Sequence, residues 1–247
     1  MRTSSFKFDY LVLGSGVAAA TAAFAAREAD PAGSICIVTE EALPTYSKPM
    51  LTKSPLRTFS VEKFMVYREE DFEKANIELF LDARVESMDT AAKTVKTRLG
   101  EIGYGKCIYA LGAQNFIPPV KGIEDAKVVS IRTADDIYEM KRFAIDAKQA
   151  AVVGGGVIGL EAAFELSRYG LSVNVFETLP FLMPRLLDEG TANDIKDWIK
   201  SFDIYTGVNV AAIENGAEIV LQDGRKFPAD FTVFACGVRA NLQIAEN

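Results

Sequence analysis

The sequence GSGVAA at residues 14–19 and the sequence GGGVIG at residues 154–159 decide the fold of this chain. Each follows a short apolar run typical of a buried β-strand, and each opens an alanine-rich segment with helical periodicity. Glycines let the backbone pass close to a bound pyrophosphate, and the N-terminus of the following helix offers unpaired N–H groups to its negative charge. The two stretches therefore predict two dinucleotide-binding βαβ units.

Each predicted unit also ends in an acidic residue placed to bind a ribose. The second apolar run of the first unit leads to Glu40, and that of the second unit leads to Glu177. A carboxylate accepts a hydrogen bond from a free 2′-hydroxyl and repels a 2′-phosphate, so Glu177 predicts NADH rather than NADPH. The alternative interpretation of Glu177 is a surface acid at a strand end. One glycine turn alone is a weak signal, but two with strand, helix and acid in place are strong.

Composition and charge limit the classes of protein that fit. The chain has 247 residues, of which 49% are hydrophobic and 25% charged, as in globular proteins with one or two domains. The net charge of −7 argues against a nucleic-acid partner. The apolar run at residues 11–26 follows Arg2 and Lys7 as in a secretory signal, but Asp9 interrupts that pattern and the run is too short to cross a bilayer. We therefore expect a cytoplasmic protein with no membrane segment.

The chain contains no histidine, which excludes Ser-His and Cys-His nucleophile pairs and the usual zinc sites. Its three cysteines, Cys36, Cys107 and Cys236, each lie in a strand-like run and are far apart in sequence. We interpret them as small buried hydrophobic residues. No metal site is predicted, and any redox chemistry must come from a bound cofactor.

The segments around the glycine turns predict an α/β protein with two Rossmann-like three-layer domains. Residues 60–75 have a helical pattern, and residues 77–98 alternate like strands joined by a turn. Gly112 and the pair Pro118-Pro119 mark a connection between domains. We accordingly predict a first nucleotide-binding domain over residues 1–119 and a second over residues 120–245.

Four further stretches carry a family resemblance: residues 46–53, residues 109–113, Arg132-Thr133, and residues 229–241. With the two glycine turns, they make the chain resemble the pyridine nucleotide-disulfide oxidoreductase superfamily of flavoproteins, in which an NAD(P)H-binding domain is inserted into an FAD-binding domain. Because no redox cysteine lies near residues 46–53, the chain is most similar to the ferredoxin, rubredoxin and nitrite reductase-type members. The resemblance implies FAD and NADH as cofactors and a small redox protein as electron acceptor. The acceptor's identity and the oligomeric state, for which a homodimer is one candidate, stay open.

The resemblance also implies roles for individual residues. Lys53 would lie at the flavin and pair with Glu161, although Lys53 as a solvated loop charge and Glu161 as a helix-dipole acid are the alternative interpretation. The expected FAD ligands also include Lys48, which stands where arginine is usual and keeps the cation without the bidentate fork. The full set implied for FAD is Gly14, Gly16, Ala19, Glu40, Lys48, Pro49, Lys53, Val85, Ala110, Gly112 and Arg132. The set implied for the nicotinamide nucleotide is Gly154, Gly156, Ile158, Gly159, Glu177 and Gly237.

The largest departure from the family lies near the end of the chain. Members return to the FAD domain after the NADH domain and supply a strand with a Gly-Asp pair, whereas this sequence stops at Asn247. We therefore expect an incomplete FAD domain with an exposed strand edge, in a fragment or a short gene product. The alternative function is a non-catalytic nucleotide-binding subunit. A thiol-dependent reductase would need a reactive cysteine, which the sequence does not indicate.

Overall fold

The computed structural model describes residues 5–245 and divides into two compact units. The first unit contains the residues up to 47, residues 61–113 and the residues from 240 onward, and the second contains residues 48–60 and 114–239. Residues 48–60 thus pack with the second unit although the chain places them in the middle of the first. The predicted domains, residues 1–119 and 120–245, are defined by the nucleotide that each is expected to bind, whereas the two units are defined by packing. The predicted domains therefore stay a prediction.

The first unit is built on a six-stranded mixed sheet with two helices. The sheet order is β3-β2-β1-β6-β5-β4, in which β1, β2, β3 and β6 run parallel and β4 and β5 form an antiparallel hairpin extending from β6. The elements are β1 (Ser5–Leu13), α1 (Val17–Ala29), β2 (Ile35–Val38), α2 (Glu69–Lys74), β3 (Ile77–Phe80), β4 (Val85–Asp89), β5 (Thr94–Thr97) and β6 (Gly100–Tyr109).

The last three residues of strand β1, Leu11, Val12 and Leu13, are fully buried on both faces of the sheet, which explains the continuous apolar sequence there. Val12 packs on one face against the alanines of α1, while Leu11 and Leu13 point to a second cluster on the opposite face. The alanines of α1 that are fully buried are Ala19, Ala20 and Ala23. Small side chains here bring the helix close to the sheet, so the turn between β1 and α1 is held tightly at the sheet edge.

The second unit repeats this arrangement on a five-stranded parallel sheet of order β11-β10-β9-β15-β8, and adds a three-stranded antiparallel sheet, β12-β13-β14. The two segments that connect the units pair as a short sheet, β7-β16. The elements are β7 (Ala113–Asn115), β8 (Val128–Ser130), α3 (Ala134–Ala144), β9 (Gln149–Val153), α4 (Val157–Tyr169), β10 (Ser172–Glu177), α5 (Glu189–Trp198), β11 (Asp203–Thr206), β12 (Val210–Glu214), β13 (Glu218–Leu221), β14 (Lys226–Pro228), β15 (Phe231–Phe234) and β16 (Val238–Ala240).

The predicted α/β class and both predicted βαβ units are confirmed. The runs β3-β2-β1-β6 and β11-β10-β9-β15 have equivalent orders, and in each the glycine turn follows the strand at which the order reverses. Ligands of open α/β sheets bind outside the carboxyl ends of the strands at such a reversal. The sheet topology therefore places both glycine turns at the expected ligand-binding edge.

Three sequence-based predictions of local structure were wrong. Residues 60–75 form a short 3₁₀ turn at Val61–Phe64 and then α2 instead of one helix, because the N–H groups of residues 66 and 67 donate to the Thr45 carbonyl, 2.8 and 3.1 Å away. The amphipathic pattern of residues 188–201 predicts a helix that continues to Ser201, whereas α5 ends at Trp198. Cys236 lies in the segment after β15 and not within a strand. In the first case a tertiary hydrogen bond overrides the local helical pattern.

Arg27, near the end of α1, links three segments of the first unit. Its guanidinium donates to five carbonyl oxygens, at 2.6–3.3 Å, on the end of α1, the loop before β2 and the end of α2: those of Asp30, Pro31, Gly33, Ala75 and Asn76. The planar fork of five N–H donors can satisfy such a set, whereas a lysine ammonium offers three donors from one point.

We predict that Arg27→Lys lowers the free energy of unfolding by about 1–3 kcal/mol, because several charge-assisted hydrogen bonds are lost while the positive charge is kept. Thermal unfolding followed by circular dichroism measures the effect. Arg68→Lys is the matched control, since Arg68 forms an exposed ion pair with Glu62 at 3.1 Å and such pairs contribute little. Equal melting temperatures for the two variants would contradict the role of Arg27.

Candidate functional site

Each glycine turn begins with a residue that only glycine can occupy. Gly14 and Gly154 have φ values of +103° and +116°, in the region that L-residues with side chains rarely adopt. A Cβ atom on Gly14 would overlap the Ala110 carbonyl, and one on Gly154 would overlap the Ala235 carbonyl. Backbone conformation and packing therefore account fully for these two glycines.

Gly16 and Gly156 require a different explanation. Their φ values of −67° and −80° suit any residue, and a Cβ atom at either position would meet nothing within 4 Å. Neither strain nor packing against the described residues calls for glycine there. Their missing side chains leave open space at the start of each helix, and this space fits a pyrophosphate lying against the backbone.

The helices that follow the turns have exposed polar N-termini suited to an anion. Neither α1 nor α4 has a side-chain cap or an acidic residue in its first turn. By contrast, α3 is capped by Thr133 and α5 by Asp188, and both carry acidic residues in the first turn. An acidic cap would compete with a phosphate for the same N–H groups, so its absence in α1 and α4 suits phosphate binding.

The third position of the motif differs between the two turns. In the second turn a Cβ atom on Gly159 would overlap the Gly154 carbonyl, so this glycine allows helix and turn to pack closely. In the first turn Ala19 occupies the equivalent position and is fully buried. Both positions therefore serve the close packing of helix and turn.

Glu177 lies at the end of β10, and its carboxylate contacts the second glycine turn. Its Oε2 accepts a hydrogen bond from the Gly155 N–H at 2.6 Å, and its Oε1 accepts from the Leu179 N–H at 2.8 Å. Gly155, which the sequence did not single out, packs closely against this acid, since a Cβ atom there would lie 2.7 Å from Leu182 Cδ2 and 3.0 Å from Glu177 Cβ. The carboxylate is thus held beside the turn, and its role as the ribose-binding acid stays a prediction.

Glu40 occupies a different environment at the corresponding place in the first unit. It is exposed, and its Oε2 lies 3.7 Å from Arg84 Nε. The first turn is joined to its second strand by a buried hydrogen bond of 2.9 Å from the Ser15 hydroxyl to Thr39 Oγ1. The two acids predicted from the same pattern are therefore not structurally equivalent, and only Glu177 is tied to its glycine turn.

Lys53 and Glu161 lie together within the second unit. Lys53 Nζ is 4.0 Å from Glu161 Oε1, and their side chains are 53% and 31% exposed. The Thr52 hydroxyl donates a hydrogen bond to Glu161 Oε2, a contact that the sequence did not indicate. The predicted pair is thus separated by the longest distance at which an ion pair is counted, and Thr52 is a second partner of Glu161.

Residues 48–60 follow one face of α4. Beyond the contact at Glu161, the Leu56 N–H donates to Glu165 Oε2 at 3.1 Å, and the Arg57 guanidinium donates to the Tyr169 carbonyl and stacks over its ring. Glu161, Glu165 and Tyr169 are four residues apart, so they lie on one face of the helix. This spacing is the sequence signal that could have indicated a segment docked along α4.

The remaining residues predicted to bind FAD fall in both units. In the first unit the Val85 side chain is in the core, and Gly112 is exposed with φ of +68°. Ala110, also in this unit, donates its N–H to the Leu13 carbonyl at 2.9 Å. The other three belong to the second unit: Lys48, Pro49 and Arg132.

Lys48 Nζ donates to the Arg132 carbonyl at 3.3 Å, while the Arg132 N–H donates to Asp136 Oδ2 at 2.7 Å. Ile158 is exposed in the first turn of α4. Gly237, with φ of +100°, has open space around the position of a Cβ atom. The structure therefore places these residues on the second unit without testing their roles, which stay predictions.

The cysteines are poor nucleophiles. Burial raises the pKa of Cys36 far above its usual range, and burial raises the pKa of Cys107 to about 11. The pKa of Cys236 is raised to about 11 by burial and further by the negative charge of Glu177. The thiolate is the reactive form, so these environments oppose thiol chemistry at neutral pH.

Over residues 5–245, no helix has the length and apolar character needed to cross a membrane.

Comparison with known proteins identifies the family. The sequence model of the family described as pyridine nucleotide-disulphide oxidoreductase matches residues 8–247. The chain belongs to this family. That assignment accounts for the presence of two glycine turns and for the resemblance of residues 46–53 and 229–241 to its members.

Individual relatives agree with the family assignment. The chain is 28% identical to an NADH oxidase of Methanocaldococcus jannaschii over 96% of this chain and 56% of that protein. It is 29% identical to a rubredoxin-NAD(+) reductase of Pseudomonas putida over 95% of this chain and 63% of that protein. It also matches the crystal structure of a ferredoxin reductase from Rhodopseudomonas palustris with a TM-score of 0.88 and 29% identity, over 96% of this chain and 61% of the other. The chain spans less than two thirds of each.

We predict that Gly156→Ala reduces NADH affinity by about 5- to 150-fold, because a methyl group in the open space would cost on the order of 1–3 kcal/mol against a bound phosphate. Its melting temperature should stay unchanged, since the backbone accepts alanine. Gly154→Ala is the contrasting variant, and should lower the melting temperature. Titration calorimetry and thermal unfolding separate the two effects. Unaltered NADH binding by the Gly156 variant would remove the proposed phosphate position.

We also predict that iodoacetamide modifies Cys107 and Cys236 slowly at pH 7. With pKa values of about 11, the thiolate fraction and hence the rate should rise about tenfold for each pH unit from 7 to 10. Mass spectrometry of the intact chain measures the rate, and the chain unfolded in urea is the control with ordinary thiols. Rapid alkylation of the folded chain at pH 7, with loss of activity, would support a thiol-dependent reductase instead.

Proposed function

We propose that this chain binds FAD through the turn between β1 and α1 and NADH through the turn between β9 and α4, and that it catalyses hydride transfer from NADH to FAD. The observation that carries the proposal is the pair of glycines, Gly16 and Gly156, whose side-chain positions are open although nothing in the backbone requires glycine. Family membership supports it, as do relatives named NADH oxidase and rubredoxin-NAD(+) reductase.

FAD, when bound, accepts a hydride from NADH and passes the electrons on. We propose that Lys53 supplies the positive charge that compensates the negative charge gained by the flavin, and that Glu161 orients this ammonium. Their separation of 4.0 Å within the second unit supports that pairing. The helix N-termini of α1 and α4 would hold the phosphates of the two cofactors.

The proposed electron acceptor is a small redox protein of the ferredoxin or rubredoxin type. The names of the P. putida and R. palustris proteins support this class. The raised pKa values of the cysteines argue against a dithiol within the described residues as the acceptor. The proposal for the chain is therefore an FAD-dependent NADH oxidoreductase without a redox-active disulfide.

An anaerobic visible spectrum of the purified chain, with FAD supplied, tests the function. We expect a bound-flavin spectrum that bleaches when NADH is added. Gly16→Ala should weaken flavin retention and keep NADH binding, whereas Gly156→Ala should weaken NADH binding and keep flavin retention. A chain that binds NADH but neither retains nor reduces flavin would be a nucleotide-binding module without this activity.

The choice between the two nicotinamide nucleotides depends on Glu177. We predict that Glu177→Arg shifts the ratio of NADH to NADPH affinity by at least about tenfold toward NADPH, because a positive charge replaces a carboxylate that repels the 2′-phosphate. Glu40→Arg is the matched control in the other unit and should leave the ratio unchanged. Binding constants for both nucleotides give the answer, and the same ratio in wild type and Glu177→Arg would refute the assignment.

A further inference from the structure

We propose that Thr52 is a positioning residue for hydride transfer: its hydroxyl holds the Glu161 carboxylate in the orientation that pairs with Lys53. This inference rests on the proposed function, in which the Lys53–Glu161 pair serves the flavin. Thr52 and Lys53 are neighbours in one segment, and they contact the two different oxygens of the Glu161 carboxylate.

The two contacts on Glu161 differ in strength. Lys53 Nζ lies at 4.0 Å from Oε1 and its side chain is 53% exposed, and an ion pair of this kind contributes little by itself. The Thr52 hydroxyl makes a direct hydrogen bond to Oε2 of the Glu161 carboxyl group, and a hydrogen bond to a carboxylate is the stronger type of interaction. Thr52 therefore determines the orientation of the carboxylate, and Lys53 follows it.

Helix α4 offers Glu161 no alternative partner. The side chains one turn away, at three or four positions before and after it, are Val157, Ile158, Phe164 and Glu165. Three of these are apolar, and the fourth is a like charge that disfavours approach. An unrestrained glutamate side chain on this face would sample several rotamers. A donor from outside the helix is thus required to keep its carboxylate near Lys53.

The segment that carries Thr52 is well anchored. Leu51 and Leu56 are buried, and the Lys53 N–H donates to the Met50 carbonyl at 3.2 Å. A β-branched threonine has restricted χ1 freedom, so a fixed backbone also fixes the hydroxyl. This rigidity is what a group that orients another side chain needs.

Docking of the segment does not depend on Thr52 alone. Four residues further on, the Leu56 N–H donates to Glu165, and Arg57 contacts Tyr169. These contacts hold the segment on α4 if the Thr52 hydroxyl is removed. Loss of that hydroxyl should therefore affect the carboxylate more than the path of the chain, which separates a positioning role from a purely structural one.

The test compares Thr52→Val, which keeps the shape and removes the hydroxyl, with Thr52→Ser, which keeps the hydroxyl. In the flavin-loaded chain we expect Thr52→Val to slow the limiting rate of flavin reduction by NADH about tenfold, as for loss of a charge-assisted hydrogen bond. The dissociation constant for NADH should stay within about twofold of wild type, since the turn at Gly154–Gly156 is untouched. Thr52→Ser should keep the wild-type rate of flavin reduction. Thr90→Val, in an exposed turn of the first unit, is the substitution control.

A double-mutant cycle tests whether Thr52 acts through Glu161. In a Glu161→Ala background, Thr52→Val should cause no further loss of the reduction rate. In the flavin-free chain, the two single substitutions should lower the melting temperature by amounts that do not add in the double variant. This second measurement reports the hydrogen bond without any cofactor.

The outcomes separate the two proposals. If wild type reduces flavin and Thr52→Val does so equally fast, the positioning role is wrong. It is also wrong if Thr52→Val slows flavin reduction by the same factor in the Glu161→Ala background as in wild type. Additive melting-temperature changes would show that the hydrogen bond does not form in solution, which also overturns it. If NADH fails to bleach the wild-type flavin while the melting cycle is non-additive, the proposed function fails, and the Thr52–Glu161 contact is left as a structural contact only.

Discussion

The close approach of each glycine turn to two neighbouring strands is the constraint on which both candidate sites depend. The Gly14 N–H donates to the Val38 carbonyl at 2.7 Å, and the Gly154 N–H donates to the Phe176 carbonyl at 2.8 Å. On the other side, each glycine Cα faces the carbonyl of the residue that follows β6 or β15. A side chain at either glycine would separate the strands, and the N-termini of α1 and α4 would no longer lie at the edge where the strand order reverses.

The two turns share this backbone geometry but differ in the side chains that join each turn to its second strand. The first turn is joined to its second strand by two buried hydroxyl groups, and the second by the carboxylate of Glu177, which accepts from backbone N–H groups. A negative charge is therefore held at the second turn only. This difference agrees with the proposed role of Glu177 in selecting NADH over NADPH, because an acid that binds a ribose must be fixed near it.

Residues 48–60 show how a short segment can acquire a role from the helix it packs on. Alone, they carry exposed cations and short 3₁₀ turns with no regular pattern. Along α4, their hydrogen bonds follow a face defined by Glu161, Glu165 and Tyr169, and the same face brings Lys53 to a carboxylate. Because residues four apart lie on the same face of a helix, Glu161, Glu165 and Tyr169 form a row of hydrogen-bond acceptors along α4.

The sequence by itself determined the α/β class, both βαβ units and the positions of the glycines that only glycine can satisfy, because strand burial, helix periodicity and positive φ are local requirements that leave a direct pattern. It also indicated the pairing of Lys53 with Glu161, through the family resemblance, although the two are over a hundred residues apart.

Only the tertiary structure decided that residues 60–75 are not one helix, that Glu40 and Glu177 differ, and that Thr52 contacts Glu161. Each of these depends on a hydrogen bond between residues distant in sequence, such as that from the Tyr67 N–H to the Thr45 carbonyl or from the Gly155 N–H to Glu177. Such bonds form only after the chain has folded, so no local spacing predicts them.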